Sequence, residues 1–332
     1  MRRCFKLKIS IALSAVIILL SISACTTSQS EKTGKSDFVL DTIATITLYD
    51  SSDTALIDEC FELCRHYESL FSRTDEGSEI YKLNHREISE LSPETATLIS
   101  KSLYYCELSD GAFDITVEPL SSLWDFKADS PSAPAAADIE AACQKIAYTA
   151  VSVSGDTVSF SNDYTRIDLG AIAKGYIADR IKELLVSRGI EKAIINLGGN
   201  VTCIGGRDDE TGFKIGIQYP FKEGSILGVT VRGLSVVTSG SYERFFEEDG
   251  KLYHHILNPK TGYPYDNGLL SVSIIGEDSS VCDALSTTCF ALGKEAGKAL
   301  LESMPGYYGI FIADDYSLYF TEGTEEALNI EH

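Results

Sequence analysis

Apolar residues recur at two different spacings along this chain, and the spacing separates predicted helices from predicted strands. Residues 38–49 alternate and are rich in β-branched side chains, which predicts a strand. Residues 54–71 repeat apolar positions three or four apart, which predicts a helix. A second helix is expected to start at Ser92-Pro93, a capping residue followed by a first-turn proline, and to end before Gly111.

The rest of the chain contains blocks of strands and blocks of helices. Residues 151–160 predict a hairpin that turns at Gly155-Asp156, and residues 172–188 predict an amphipathic helix ended by Gly189. The other expected elements are a surface loop at 127–137, a strand at 193–196, short strands up to about 257, a strand at 269–275, helices at 280–292 and up to 304, and strands near 307–313 and 317–320. Because the blocks do not alternate strictly, the predicted fold class is α+β.

The first 24 residues have the features of a secretory signal peptide. Four basic residues precede an apolar run at residues 9–20, and a bilayer span needs about 20 such residues. Ile22-Ser23-Ala24-Cys25 then resembles a bacterial lipobox, in which Cys25 would receive a lipid; an ordinary cleavage site beside an incidental cysteine is the alternative. Residues 25–36 are predicted to be a disordered tether, and 37–325 the folded domain. The expected location is therefore the extracytoplasmic face of the cell membrane.

Charge and cysteine content narrow the classes of function. The formal net charge of the 332-residue chain is −21. Cleavage of the signal peptide would remove four positive charges and make the net charge more negative. An acidic surface repels phosphate backbones, so no nucleic-acid partner is expected. The length suffices for one large domain or two lobes with an ample core. The cysteines after Cys25 lie mostly in apolar stretches without a C-x-x-C spacing, and are expected to be small core residues.

Two segments contain candidate groups for binding a cation and an anion. Asp283 and Thr287 are four residues apart on a predicted helix and so share one face. A carboxylate and a hydroxyl are oxygen donors that suit Mg²⁺, although capping and packing are the commoner uses of such residues. In the second segment a strand ends at Gly170 and a helix begins, with Lys174 one turn in. Free N–H groups and the lysine favour an anion, and a tight strand–helix corner is the alternative.

Three further segments contain polar groups near predicted strand or helix ends. Residues 196–200 include a glycine pair, which permits close ligand approach or forms a plain turn. His254 and His255 end a predicted strand and therefore point to opposite faces. One of them can accept a proton from a hydroxyl, and a structural role is the alternative. Asp114 can accept hydrogen bonds from an adenine or ribose, and Trp124 is expected to anchor the core.

Five segments resemble the ApbE family of flavin-trafficking lipoproteins, the FAD:protein FMN transferases. Along the chain they contain, in order, Asp114, Lys174, the glycine pair of residues 196–200, His255 and Asp283, and the resemblance extends from about residue 38 to 320. The resemblance implies a T-fold-like body of two lobes with FAD in the cleft between them. It implies Mg²⁺-dependent transfer of the FMN half of FAD to a Thr or Ser hydroxyl of a partner protein, with release of AMP. The acceptor is expected to be a membrane or extracytoplasmic redox protein.

The resemblance also implies roles for individual residues. Mg²⁺ would be held by Asp283, by Thr287 and by the backbone carbonyl of Ala171. Lys174 would lie beside the FAD, and His255 would be the catalytic base. The expected FAD contacts are Leu40, Ala112, Phe113, Asp114, Lys174, Asn196, Gly198, Gly199, His255 and Leu257.

Two positions depart from the pattern of the resembled family, which usually has Asp where this chain has Asn258 and Gly where it has Asp41. Neither departure affects the expected metal ligands or the expected base. Two other functions use the same residue set. One is a Mg²⁺-dependent FAD pyrophosphatase, in which water replaces the acceptor hydroxyl, and the other is a lipoprotein that binds flavin without turnover.

Overall fold

The computed structural model describes residues 32–207 and 211–331, and its centre is an eight-stranded antiparallel sheet with the order β1-β2-β5-β6-β9-β12-β13-β14. Three separate hairpins, β3–β4, β7–β8 and β10–β11, accompany it. The strands are β1 Thr33–Val39, β2 Thr42–Leu48, β3 Val151–Ser154, β4 Thr157–Phe160, β5 Ala193–Leu197, β6 Asn200–Ile204, β7 Phe213–Gln218, β8 Ser225–Val231, β9 Ser235–Gly240, β10 Phe245–Glu248, β11 Lys251–His254, β12 Leu269–Gly276, β13 Tyr308–Ala313 and β14 Leu318–Phe320.

Helices and a hairpin cover the two faces of this sheet. The helices are α1 Thr54–Phe71, α2 Glu79–Asn84, α3 Pro93–Leu108, α4 Glu118–Ser121, α5 Ala136–Cys143, α6 Ala173–Ser187, α7 Ser279–Leu292, α8 Lys294–Glu302 and α9 Thr324–Leu328, with a 3₁₀ turn at Tyr148–Ala150. On one face α1, α6 and α7 enclose the main core around Ile46, Ile195 and Phe290. On the other face the β7–β8 hairpin and α9 enclose a second core around Val229 and Ile312.

A third core lies apart from the sheet and forms a second lobe. Segments of α4, α5 and β10 contribute Leu120, Ile139 and Phe246 to it. Trp124 is buried there, and its Nε1 donates a 3.1 Å hydrogen bond to the carbonyl of Gly262, as expected for a core anchor. The predicted α+β architecture with two lobes is therefore confirmed.

The predictions for the N-terminal strand and tether need correction. Residues 38–49 form not one strand but the β1–β2 hairpin, because Leu40 and Asp41 have φ angles of 55° and 60° and reverse the chain. The strand β1 begins at Thr33, inside the predicted disordered tether, because its polar residues pair with β2 as an edge strand. The signal peptide, Cys25 and residues 26–31 lie outside the described residues. None of the helices among the described residues has both the length and the apolar composition that a membrane span requires.

Candidate active site

The site is organised by the contact between helices α6 and α7 at Gly175. A Cβ atom on Gly175 would lie 2.4 Å from the carbonyl oxygen of Ser279 and 2.7 Å from Cβ of Asp283. Without a side chain, the N–H of Gly175 donates a 2.8 Å hydrogen bond to Oδ2 of Asp283. One turn further along α6, Asp179 accepts hydrogen bonds of 2.8 and 2.9 Å from the N–H groups of Ser279 and Ser280 and so caps α7. The contact between the two helices thus places Asp283 beside Gly175, the residue that follows Lys174.

Gly175→Ala is expected to lower the free energy of unfolding by roughly 1–3 kcal/mol, because the added methyl group must displace backbone atoms of α7. Thermal or denaturant unfolding measures the loss. Gly77→Ala is the matched control, since a Cβ on Gly77 would meet only side-chain atoms of Asp75, the closest at 3.3 Å. Equal losses in the two variants would show that close helix packing at Gly175 is not needed.

The hydrogen bond from Gly175 leaves two oxygen atoms available beside it. In a regular helix the N–H of Gly175 would bond to the carbonyl of Ala171, four residues back. Because that N–H donates to Asp283 instead, no donor among the described residues reaches the Ala171 carbonyl. Within the same residues, no donor reaches Oδ1 of Asp283 either. A carbonyl and a carboxylate oxygen at the same helix start form an electronegative pair that suits a cation.

The electrostatics of Asp283 fit a bound cation. The side chain is buried, and burial raises the pKa of its carboxyl, while the charge of Lys174 and the bond from Gly175 lower it. Thr287, one turn along α7, has its hydroxyl 3.0 Å from that of Ser239 on β9. Among the described residues no group of three His, Cys, Asp or Glu side chains could hold a metal. An ion here would therefore take one carboxylate, a hydroxyl, a carbonyl and outside ligands, a set that fits Mg²⁺.

The adjacent histidines have different surroundings. His254 is buried, with Nε2 2.9 Å from the carbonyl of Tyr265 and Nδ1 accepting a 3.3 Å bond from the N–H of Ile256. The main chain of His255 donates a 3.1 Å bond to the carbonyl of Arg244, and its buried Nδ1 has no partner among the described residues. Burial, together with the charges of Arg244, His254 and Lys174, lowers the pKa of His255 to about 3. The imidazole of His255 is therefore in its neutral, unprotonated form at neutral pH.

Lys174 acts electrostatically on three groups of the candidate site. Its positive charge lowers the pKa values of Asp283, His255 and Glu243, so it lies within electrostatic range of all three. Burial raises the pKa of Glu243, and the charges of Lys174 and Arg244 oppose that rise. No sequence motif indicates Glu243 or Arg244, because they follow β9 in a segment without a histidine or a glycine pair.

The groups expected to contact the adenosine half of FAD are largely hydrogen-bonded or packed within the protein. Oδ1 of Asp114 accepts bonds of 2.7 and 2.6 Å from the N–H and hydroxyl of Thr116, and Oδ2 accepts a 3.2 Å bond from the N–H of Tyr148. Burial raises the pKa of Asp114 above its usual range. Phe113 is packed in the main core, and the carbonyl of Ala112 accepts a 2.9 Å bond from the hydroxyl of Tyr265. These contacts fix the shape of the loop, and FAD contact here stays a prediction.

The glycine pair of residues 196–200 forms the two-residue turn between β5 and β6. Gly198 and Gly199 have φ angles of 63° and 94°, and the N–H of Gly199 donates a 2.9 Å bond to Oδ1 of Asn196. A Cβ on Gly198 would lie 2.3 Å from the hydroxyl of Thr42 at the start of β2. The turn therefore needs glycine for close approach of backbone to side chain. Leu40, beside Thr42, packs partly buried against the main core.

The departure at position 258 has a local structural explanation. Oδ1 of Asn258 accepts bonds from the N–H groups of Lys260 at 2.8 Å and Thr261 at 3.4 Å, so the amide oxygen fills the turn-capping role that a carboxylate oxygen would fill. Leu257, the expected FAD contact before it, is buried in the core of the second lobe. A shallow depression of about 380 Å³ along the edge strand β1 includes none of the candidate site residues in its lining.

Known proteins resemble this chain over most of its length. The sequence model of the ApbE family matches residues 40–311. The FAD:protein FMN transferase of Klebsiella pneumoniae is 39% identical over 269 residues, which is 79% of this chain and 83% of that protein. The enzyme of the same name from Treponema pallidum is 31% identical over 340 aligned positions, covering 95% and 94% of the two chains.

The fold is similar to a solved structure as well. The crystal structure of the ApbE protein from Thermotoga maritima superposes with a TM-score of 0.80 at 33% identity, covering 88% of this chain and 97% of that one. The shared name of the relatives confirms the prediction of an enzyme of the transferase class. The family match and these similarities together establish that the chain belongs to the ApbE family.

Proposed function

We propose that this protein transfers the FMN half of FAD to a Thr or Ser hydroxyl of an acceptor protein, with Mg²⁺ as cofactor and AMP as the second product. The relatives' names support flavin transfer. The observation that carries the proposal is the diverted N–H of Gly175, which leaves the Ala171 carbonyl and one oxygen of Asp283 available beside Lys174. An arrangement of this kind binds a cation and a polyphosphate together.

Three groups of the chain would hold the metal ion. They are the carboxylate of Asp283, the hydroxyl of Thr287 and the carbonyl of Ala171, and the hydroxyl of Ser239 orients that of Thr287. When bound, Mg²⁺ supplies positive charge that offsets the negative charge developing on the phosphates. Oxygen atoms of water and of the FAD phosphates would supply the remaining ligands.

The remaining steps belong to Lys174 and His255. Lys174 binds the pyrophosphate of FAD and holds it at the start of α6. The neutral imidazole of His255 accepts the proton of the acceptor hydroxyl, and that oxygen forms a bond to the FMN phosphorus. The bond from that phosphorus to the oxygen shared with the AMP phosphate breaks, and AMP leaves with the bonding electron pair. His255 then releases its proton to solvent.

Incubation with FAD, Mg²⁺ and purified extracytoplasmic redox proteins, followed by intact mass measurement, tests this function. The expected result is an acceptor that is heavier by one whole FMN group, joined through its phosphate. One AMP is expected for each group transferred. Free FMN and AMP without an adduct would show the pyrophosphatase instead. FAD binding without any product would show a flavin-binding protein.

We also propose that Cys25 carries a diacylglyceryl anchor on the extracytoplasmic side of the cell membrane. The support is the lipobox-like pattern of residues 22–25 after an apolar run. Because two acyl chains hold a protein stably on a bilayer, Cys25→Ala is expected to move the protein from the membrane to the soluble fraction. Cell fractionation measures this, and Cys143→Ser, at another free cysteine, is the control. Equal membrane retention of the two variants would contradict the anchor.

A further inference from the structure

We propose that Arg244 is a further contact for the phosphates of the substrate, and that Asp41 is the positioning residue that holds it. This inference rests on the proposed function. Nothing in the sequence pattern marks Arg244, which follows β9 and precedes β10 in the second lobe. Asp41 lies at the tip of the β1–β2 hairpin of the main sheet, so the pair joins the two lobes beside the candidate site.

An ion cluster at this junction brings two basic side chains to one carboxylate oxygen. Nη2 of Arg244 lies 3.2 Å from Oδ2 of Asp41, and the ammonium of Lys127 pairs with the same oxygen. One carboxylate thus faces two cations, and Glu243, which precedes Arg244, is a second carboxylate on which the charge of Arg244 acts. In a chain with a formal net charge of −21, such a cluster suits an anionic ligand.

Arg244 lies next to the group that would take the acceptor proton. Its carbonyl accepts the 3.1 Å bond from the N–H of His255, which fixes the two residues to each other. Its positive charge also acts on both His255 and Glu243. The attacked phosphorus must lie within reach of the hydroxyl that His255 deprotonates, and therefore close to Arg244 as well.

The guanidinium of Arg244 has unused hydrogen-bonding capacity. Its side chain is 47% exposed, and Asp41 is its only side-chain hydrogen-bond partner among the described residues. A guanidinium carries five N–H donors in a planar fork that matches two phosphate oxygens. The donors that Asp41 does not use can therefore bind a phosphate while Asp41 keeps the group in place.

The backbone of Asp41 permits a clean test of its charge. Its φ angle of 60° is in the left-handed region, which Asn and Gly adopt more readily than most residues. Asp41→Asn and Asp41→Gly therefore both preserve the hairpin turn. Asp41→Asn removes the charge and keeps the shape of the side chain, whereas Asp41→Gly removes the side chain altogether. A role limited to the turn would leave both variants unchanged in substrate binding.

The experiment compares Arg244→Gln, Arg244→Lys and Asp41→Asn with the parent protein. FAD affinity is measured by flavin fluorescence without acceptor, and kcat and KM are measured in the transfer reaction. Arg244→Gln should lower kcat/KM by about 10- to 100-fold, the effect of one charge-assisted hydrogen bond, and Arg244→Lys should recover part of it. Asp41→Asn should lower kcat/KM about two- to fivefold, mainly by raising KM for FAD.

The matched control is Arg188→Gln, which removes a similarly exposed arginine paired with Glu59 at 2.7 Å, at the far end of α6. If the Arg244 variants bind FAD and turn over like this control, the phosphate contact is wrong. If only Asp41→Asn matches the control, the positioning role of Asp41 is wrong. A parent protein that binds FAD without transferring FMN would overturn the proposed function, and the binding measurements would still decide the role of Arg244.

Discussion

Asp283→Asn is expected to reduce FMN transfer by about a thousandfold or more, the largest effect of any single substitution considered. The amide removes the negative charge needed to hold Mg²⁺, and the metal's charge stabilisation is worth several kcal/mol, where about 1.4 kcal/mol is a factor of ten. The amide oxygen still accepts the hydrogen bond from Gly175, so the helix contact is kept. The transfer rate and calorimetric titration with Mg²⁺ measure the two effects.

The control for this substitution lies in the same helix pair. Asp179 is also a buried carboxylate between α6 and α7, but both of its oxygens are bonded to N–H groups of α7. Asp179→Asn is therefore expected to lower stability without removing Mg²⁺ binding. If Asp283→Asn bound Mg²⁺ and transferred FMN as the parent does, the metal site would have to be placed elsewhere.

The positions of the helices that form this site could be predicted, because the signals are local. Apolar spacing and end residues predicted helices at 172–188 and 280–292, and the observed helices are Ala173–Ser187 and Ser279–Leu292. The hydrogen bond that makes the site distinctive could not be predicted. It joins residues 108 apart in the sequence, and it depends on how closely two helices approach at Gly175.

The N-terminal hairpin shows a second limit of local patterns. The turn at Leu40-Asp41 contains no glycine, so the alternating residues on either side predicted one long strand. The turn forms because both strands gain backbone partners, and because the carboxylate of Asp41 meets Lys127 and Arg244 from the second lobe. Contacts of this kind come from distant segments and leave no mark in the local sequence.

His255→Gln is expected to lower kcat by about 10² to 10⁴, the usual contribution of a general base, with slow transfer remaining. The loss follows because Nδ1 of His255 is buried with no hydrogen-bond partner in the described part of the chain, and glutamine cannot take up a proton there. His254→Gln is the control, since His254 is bonded to the main chain of Tyr265 and Ile256. His254→Gln should lower the free energy of unfolding and leave kcat close to the parent value. Transfer at the parental rate by His255→Gln would exclude this residue as the base.

The pH dependence gives His255 an independent test. Because its folded-state pKa is lowered from about 6.5 to about 3, the imidazole stays neutral, and kcat/KM should show no loss from its protonation between pH 7 and 5. The unfolded chain binds this proton at a higher pH than the folded chain does. The contribution of His255 to stability is therefore full above pH 6.5 and is lost as the pH falls towards 3. His255→Gln should unfold less steeply with acid than the parent in that range. An acid limb of kcat/KM near pH 6.5 that disappears in His255→Gln would show instead that the imidazole titrates as an ordinary exposed histidine.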